Sequence, residues 1–114
     1  MPPPPPPKQA HPQQVARLLA LAAEFLKTGR PADAVVPLRE ASLLEPGNPI
    51  IQHDLGLACL EVGRVGDAMA AFQRAVASNP RYTDAFFRLG IAMEKLGDLR
   101  GAVLAYNRAT SENR

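Results

Sequence analysis

The sequence predicts an all-α fold, an α-solenoid built from three helix-turn-helix repeats. Three observations carry this reading. Gly29, Gly63 and Gly97 stand 34 residues apart, and the same interval links Leu21, Leu55 and Leu89, then Ala34, Ala68 and Ala102, then Ala41, Ala75 and Ala109. Each interval holds two runs whose apolar residues recur at helical spacing. Glycine closes the first run of each pair, and Glu45-Pro46 or Asn79-Pro80 follows the second in repeats one and two. Many registers sharing one period mark a stacked repeat protein.

The elements follow in order. Seven of the twelve prolines fall in residues 1–12, a tail expected to be disordered, extended and without internal hydrogen bonds. Its run of prolines either feeds a proline-binding module or is a loose terminus. The helical domain is read over residues 13–114, with repeats at 15–48, 49–82 and 83–114. The first helix, 13–28, sets Leu18, Leu21, Ala22 and Phe25 on one face. The second, 31–44, does so with Ala34, Leu38 and Ala41, and Pro37 inside it is expected to kink it. The third, 49–62, uses Gln52, Leu55, Gly56 and Cys59; the fourth, 65–78, uses Ala68, Ala71, Phe72, Ala75 and Val76. The fifth, 82–96, carries Phe86, Leu89, Gly90 and Met93, and the sixth, 99–112, carries Ala102, Ala105, Tyr106 and Ala109. Ala22, Gly56 and Gly90 are expected where paired helices approach closest, with Phe72 and Tyr106 filling the gap between repeats.

Composition narrows the function. At 114 residues the chain suits one domain, and 46% apolar content allows a packed core. Formal net charge is +2, and the three repeats carry 0, 0 and +1, a balance that points away from nucleic acid. Trp is absent and Phe plus Tyr number six, too few for a base-stacking platform. One cysteine and two histidines argue against a disulfide framework and a metal site. No apolar h-region follows a charged start, and the most apolar stretch, 15–26, carries Arg17 and Glu24, so neither a secretory signal nor a membrane span is expected. The expected address is the cytoplasm.

No catalytic constellation stands out, so no catalytic residue, cofactor or metal is assigned and the chain is read as a non-enzyme. Ser42, Ser78 and Ser111 lack a nucleophile-elbow context. Gly63–Gly66 lacks the Gly-Lys-Ser/Thr ending of a phosphate loop. Cys59 aligns with Phe25 and Met93, which favours a buried small hydrophobe over a nucleophile. Asp54 and Glu61 read as a solvated helix face. His53 reads either as a ligand contact on the inner surface or as an ordinary surface histidine.

The residues resemble a known family. Leu55-Gly56, Cys59, Ala68, Phe72 and Pro80 are similar to the tetratricopeptide repeat pattern, W-x2-L-G-x2-Y…A-x3-F…P, and Leu89-Gly90, Met93, Ala102 and Tyr106 match it again. In the first repeat Ala22 replaces the glycine and Leu38 the aromatic. Leu18, Gln52 and Phe86 stand where the pattern has Trp, and Gln52 is expected to weaken packing most. The resemblance covers Val15 to Arg114. It implies a right-handed superhelix segment whose first helices line a concave side.

A second stripe lies on each first helix, rotated by roughly 100–160° from the core stripe. It comprises Ala16, Leu19, Ala23 and Leu26, then Ile50, His53, Leu57 and Leu60, then Asp84, Phe87, Ile91 and Glu94, beside Arg88. Carried onto the family's architecture, Leu19, Leu26, Ile50, His53, Leu57, Leu60, Asp84, Phe87, Arg88, Ile91 and Glu94 form a peptide-binding groove bordered by Lys27, Glu61 and Lys95. The implied partner is a protein or peptide, an amphipathic helix or an extended apolar segment, with Phe87 as anchor. The bland alternative is packing between adjacent first helices, to which Ala23 and Leu57 are assigned. One family subclass holds acidic chaperone C-termini with a two-carboxylate clamp. Here the matching residues are Leu19, Ala23, Asp54, Asp84 and Arg88, of which only Arg88 fits, so that ligand is excluded. Two other readings stay open. One makes the chain the N-terminal substrate-recruiting region of a larger enzyme such as a glycosyltransferase, sulfotransferase or methyltransferase; the other has it self-associate through an uncapped C-terminal end.

Overall fold

The computed structural model describes residues 1–3 and 12–112. Among these residues six helices follow one another: α1 (Pro12–Lys27), α2 (Pro31–Leu44), α3 (Pro49–Glu61), α4 (Val65–Ser78), α5 (Thr83–Lys95) and α6 (Leu99–Glu112). Each end lies within one residue of its sequence-based position. Of the proline-rich tail, Met1–Pro3 are exposed and irregular, Pro12 opens α1, and the rest lies outside the described residues.

One turn design is used three times. Gly29, Gly63 and Gly97 take φ of 74°, 85° and 87°, the left-handed region that only glycine enters at little cost. The residue after each glycine donates its N–H to a carbonyl in the last helical turn: Arg30 to Phe25, Arg64 to Cys59 and Asp98 to Met93, at 2.8–2.9 Å. Starts are fixed as regularly. Pro31 and Pro49 open α2 and α3, the Asn48 side chain accepts from the N–H groups of Ile50 and Ile51, and Asp98 accepts from Gly101.

α1 pairs with α2, α3 with α4 and α5 with α6; α2 then packs on α3, α4 on α5, and α3 touches α5 along the first-helix side. The stack measures 56 × 31 × 23 Å. One core cluster threads all three repeats, from Ala22, Val35 and Leu38 through Leu55, Cys59 and Phe72 to Leu89 and Ala105. A smaller one joins Val15, Ala41 and Ile51.

The Phe72 and Tyr106 rings lie over Gly56 and Gly90 of their own helix pairs, where an added Cβ would fall 2.6 Å from ring carbon. Two expectations are corrected. Leu21 is half exposed rather than core, and among the described residues no helix covers that side of α1. Gln52 is fully buried and hydrogen-bonded, its amide Nε2 donating to Ser42 Oγ at 2.8 Å and to the Pro46 carbonyl at 3.0 Å. It ties α3 to the end of α2 instead of loosening that junction. Pro37, where a kink is expected, is buried within α2, whose helical span runs from Pro31 to Leu44.

Candidate functional site

The first-helix face is built from α1, α3 and α5, each exposing the side turned away from its partner helix. Leu19, Leu26, Leu57 and Leu60 are half-buried and lean on the main core cluster; Leu19 also touches the smaller one. Ile91 sits half-buried at the repeat position of Leu57. Ile50 is exposed at the start of α3. The row is therefore shared between core and surface, and each side chain presents an apolar edge to water.

A polar group interrupts the row at the junction of repeats two and three. His53 is buried, contrary to its reading as a surface histidine. Its Nδ1 lies 3.5 Å from Asp54 Oδ1. Its Nε2 lies 3.0 Å from Asp84 Oδ2 without the alignment of a hydrogen bond. The ring stacks at 5.0 Å on Tyr82 and sits 5.9 Å from Phe72. Arg88 Nε approaches Asp84 Oδ1 at 3.7 Å. Burial pushes the Tyr82 phenol up from its ordinary value, and the carboxylates of Asp54 and Asp84 push it further. Sequence reasoning named His53, Asp84 and Arg88 but missed Tyr82 as their partner. The signal was present: Tyr82 and Asp84 bracket the start of α5, where the next repeat meets the side of α3 carrying His53.

Phe87 is exposed, but its ring turns toward α6, 5.6 Å from that of Tyr106. It lines an open crevice of about 440 Å³ with Thr83, Asp84, Ala109 and Thr110. Glu94 accepts a hydrogen bond from the Tyr106 hydroxyl at 2.8 Å, and with Ile91 and Lys95 it borders a hollow of about 380 Å³. A larger cavity, about 690 Å³, lies elsewhere, between α2 and the α3–α4 turn, lined by Val36, Arg39, Leu43 and Arg64 among others. Ala70 and Ala77 take the places of Val36 and Leu43 in the next repeat, so the large apolar lining of that hollow is not repeated there. Among the described residues no cluster of three or more His, Cys, Asp or Glu is placed to hold a metal ion, and no helix is long and apolar enough to cross a membrane.

A sequence profile described as tetratricopeptide repeat matches residues 19–82 and again residues 53–114. No curated protein sequence matches the chain. Among solved structures, "Crystal structure of MamA" is similar at a TM-score of 0.84 and 31% identity, covering 91% of this chain and 61% of that one. The chain thus spans about three-fifths of the MamA chain's length. "Second TPR of Spaghetti (RPAP3) bound to HSP90 peptide SRMEEVD" is similar at a TM-score of 0.84 and 21% identity, covering 90% of this chain and 94% of that one. "Crystal structure of YrrB: a TPR protein with an unusual peptide-binding site" is similar at 0.81 and 18%, covering 86% and 50%. At these identities the last two likenesses concern the fold alone.

Proposed function

Because the chain belongs to the tetratricopeptide repeat family, we propose that it is a non-catalytic protein-interaction module whose first-helix face holds a partner peptide or helix. One observation carries the reading. Leu19, Leu26, Leu57, Leu60 and Ile91, drawn from all three repeats, form a row of half-buried apolar side chains on α1, α3 and α5. Such a row offers a partner several shallow apolar contacts at once, which suits an amphipathic segment. The RPAP3 structure is described as bound to an HSP90 peptide and YrrB as having a peptide-binding site, so this architecture accommodates peptides elsewhere.

The acidic HSP90 peptide itself does not fit here. Asp54 and Asp84 flank the middle of the row, Glu94 stands beyond, and Arg88 is already beside Asp84. A carboxylate arriving there meets like charge. The preferred partner carries apolar side chains and no acidic residue opposite His53.

A phage-displayed random dodecapeptide library tests this. Selection on the wild-type chain should enrich apolar, acid-poor sequences. Ala23, expected to pack between first helices, is exposed on α1; Ala23→Glu and Ile91→Glu, both on the first-helix face, should abolish their capture while helical content stays unchanged. Capture that survives both substitutions would move binding off this face.

A further inference from the structure

One position is filled in the third repeat and left open in the second. In the α5–α6 pair the Phe86 ring lies under the Arg108 guanidinium, 5.0 Å from ring centroid to charge, and Arg108 also donates to the Pro80 carbonyl at 3.1 Å. The hollow beside them, along Leu89 and Met93, measures about 210 Å³. In the α3–α4 pair Gln52, Cys59 and Arg74 hold the repeat positions of Phe86, Met93 and Arg108, and Pro46 that of Pro80. Here the hollow measures about 580 Å³ and reaches across to Arg39, Ser42 and Leu43 of α2. It lies inside the stack, lined from three successive helices, and none of its lining residues belongs to the first-helix row.

Two sets of polar groups around this hollow lack partners. Gln52 lines it and is fully buried, with its Nε2 donating to Ser42 Oγ and to the Pro46 carbonyl. Turning the amide over would set Oε1 against the Pro46 carbonyl, acceptor against acceptor, so the orientation is fixed. The buried Oε1 then has no hydrogen-bond partner and needs a donor. Arg39 and Arg74, on the rim, make no hydrogen bond or ion pair among the described residues. Arg74 thus lacks both the ring and the carbonyl that its counterpart Arg108 holds. Leu43, Leu55 and Cys59 supply apolar wall, and Asp67 disfavours a second negative charge on anything that enters.

We propose that this hollow is a small-molecule site, and that its ligand is a planar heteroaromatic acid with a ring N–H and one carboxylate. The ring lies under Arg74 as Phe86 lies under Arg108. The N–H donates to Gln52 Oε1, and the carboxylate pairs with Arg39. The volume is in the range of small-ligand sites.

Indole-3-acetate is the probe. The chain has no Trp, so indole fluorescence comes from the probe alone. Titration with the full chain should give a saturable rise in anisotropy and amide shifts at Gln52, Cys59 and Arg74. Arg39→Met and Arg74→Met, both at exposed positions, should each weaken binding by about tenfold. 1-Methylindole-3-acetate, which lacks the donor, should lose a similar factor with the protein untouched. Gln52→Phe rebuilds the Phe86–Arg108 arrangement and should abolish binding at unchanged helical content. Ile91→Glu should leave the titration as it is, which separates this site from the first-helix row. No saturable binding of indole-3-acetate overturns the proposal. So does equal binding of the methylated probe, or binding indifferent to both arginine substitutions.

Discussion

A Cβ placed on Gly56 would stand 2.6 Å from the edge of the Phe72 ring, and Gly90 stands in the same relation to Tyr106. Where the glycine is replaced by Ala22, the ring is replaced by Leu38, and both are buried in the core cluster. The two positions are matched in size, repeat by repeat. Gly56→Ala should cost about 1–3 kcal/mol in chemical denaturation, because the ring has no room to withdraw. Adding Phe72→Leu should recover part of that loss, so that the double variant is more stable than the sum of the singles predicts. Strict additivity would show that ring and glycine are not coupled.

The hydrogen bonds of Gln52 yield a second expectation. Ser42→Ala removes one acceptor of the buried Gln52 amide, whose Oε1 already lacks a protein partner. Stability should fall by about 1–2 kcal/mol, seen as a lower denaturation midpoint at unchanged slope. No change would mean that the bond to the Pro46 carbonyl alone holds the side chain.

Much of this architecture was legible in the sequence for a physical reason. The 34-residue period records a turn that needs a left-handed residue at Gly29, Gly63 and Gly97 and a contact that needs small side chains beneath Phe72 and Tyr106. Local geometry writes itself into residue type at such places. Contacts between repeats are less legible. His53 looked like a surface residue because nothing in α3 announces that Tyr82 and Asp84 will close over it. Phe87 looked like a groove anchor because helical spacing fixes its angle on α5, yet its environment depends on α6 and on what covers the end. Gln52 looked like a flaw until its partners on the α2–α3 connection were in place.

Alkaline pH gives a third expectation. Burial raises the Cys59 thiol from its ordinary value of 9.0, with Asp67 adding to the rise, and burial with Asp54 and Asp84 raises Tyr82 from 10.0. Each group then keeps its proton longer in the folded chain than in the unfolded one. Their contribution is neutral below the ordinary values and becomes destabilising as pH climbs past them, since the unfolded state ionises first. Stability should therefore decline from about pH 9 upward, and Cys59→Ala should flatten the first part of that decline. At pH 8 the thiol should also react with iodoacetamide at least about tenfold more slowly in the native chain than in denaturant. Rapid native labelling would show that Cys59 is reached without unfolding.

The proposal that the chain works by holding a partner along its first helices meets its most direct test in one titration. A peptide selected by the wild-type chain is added to the isotopically labelled protein, and amide shifts are mapped residue by residue. The account predicts that the changes concentrate on α1, α3 and α5, around Leu19, Ala23, Leu57, Leu60 and Ile91. Changes centred on Val36, Arg39 and Leu43, beside the large α2 cavity, would contradict it and place recognition on the second-helix side.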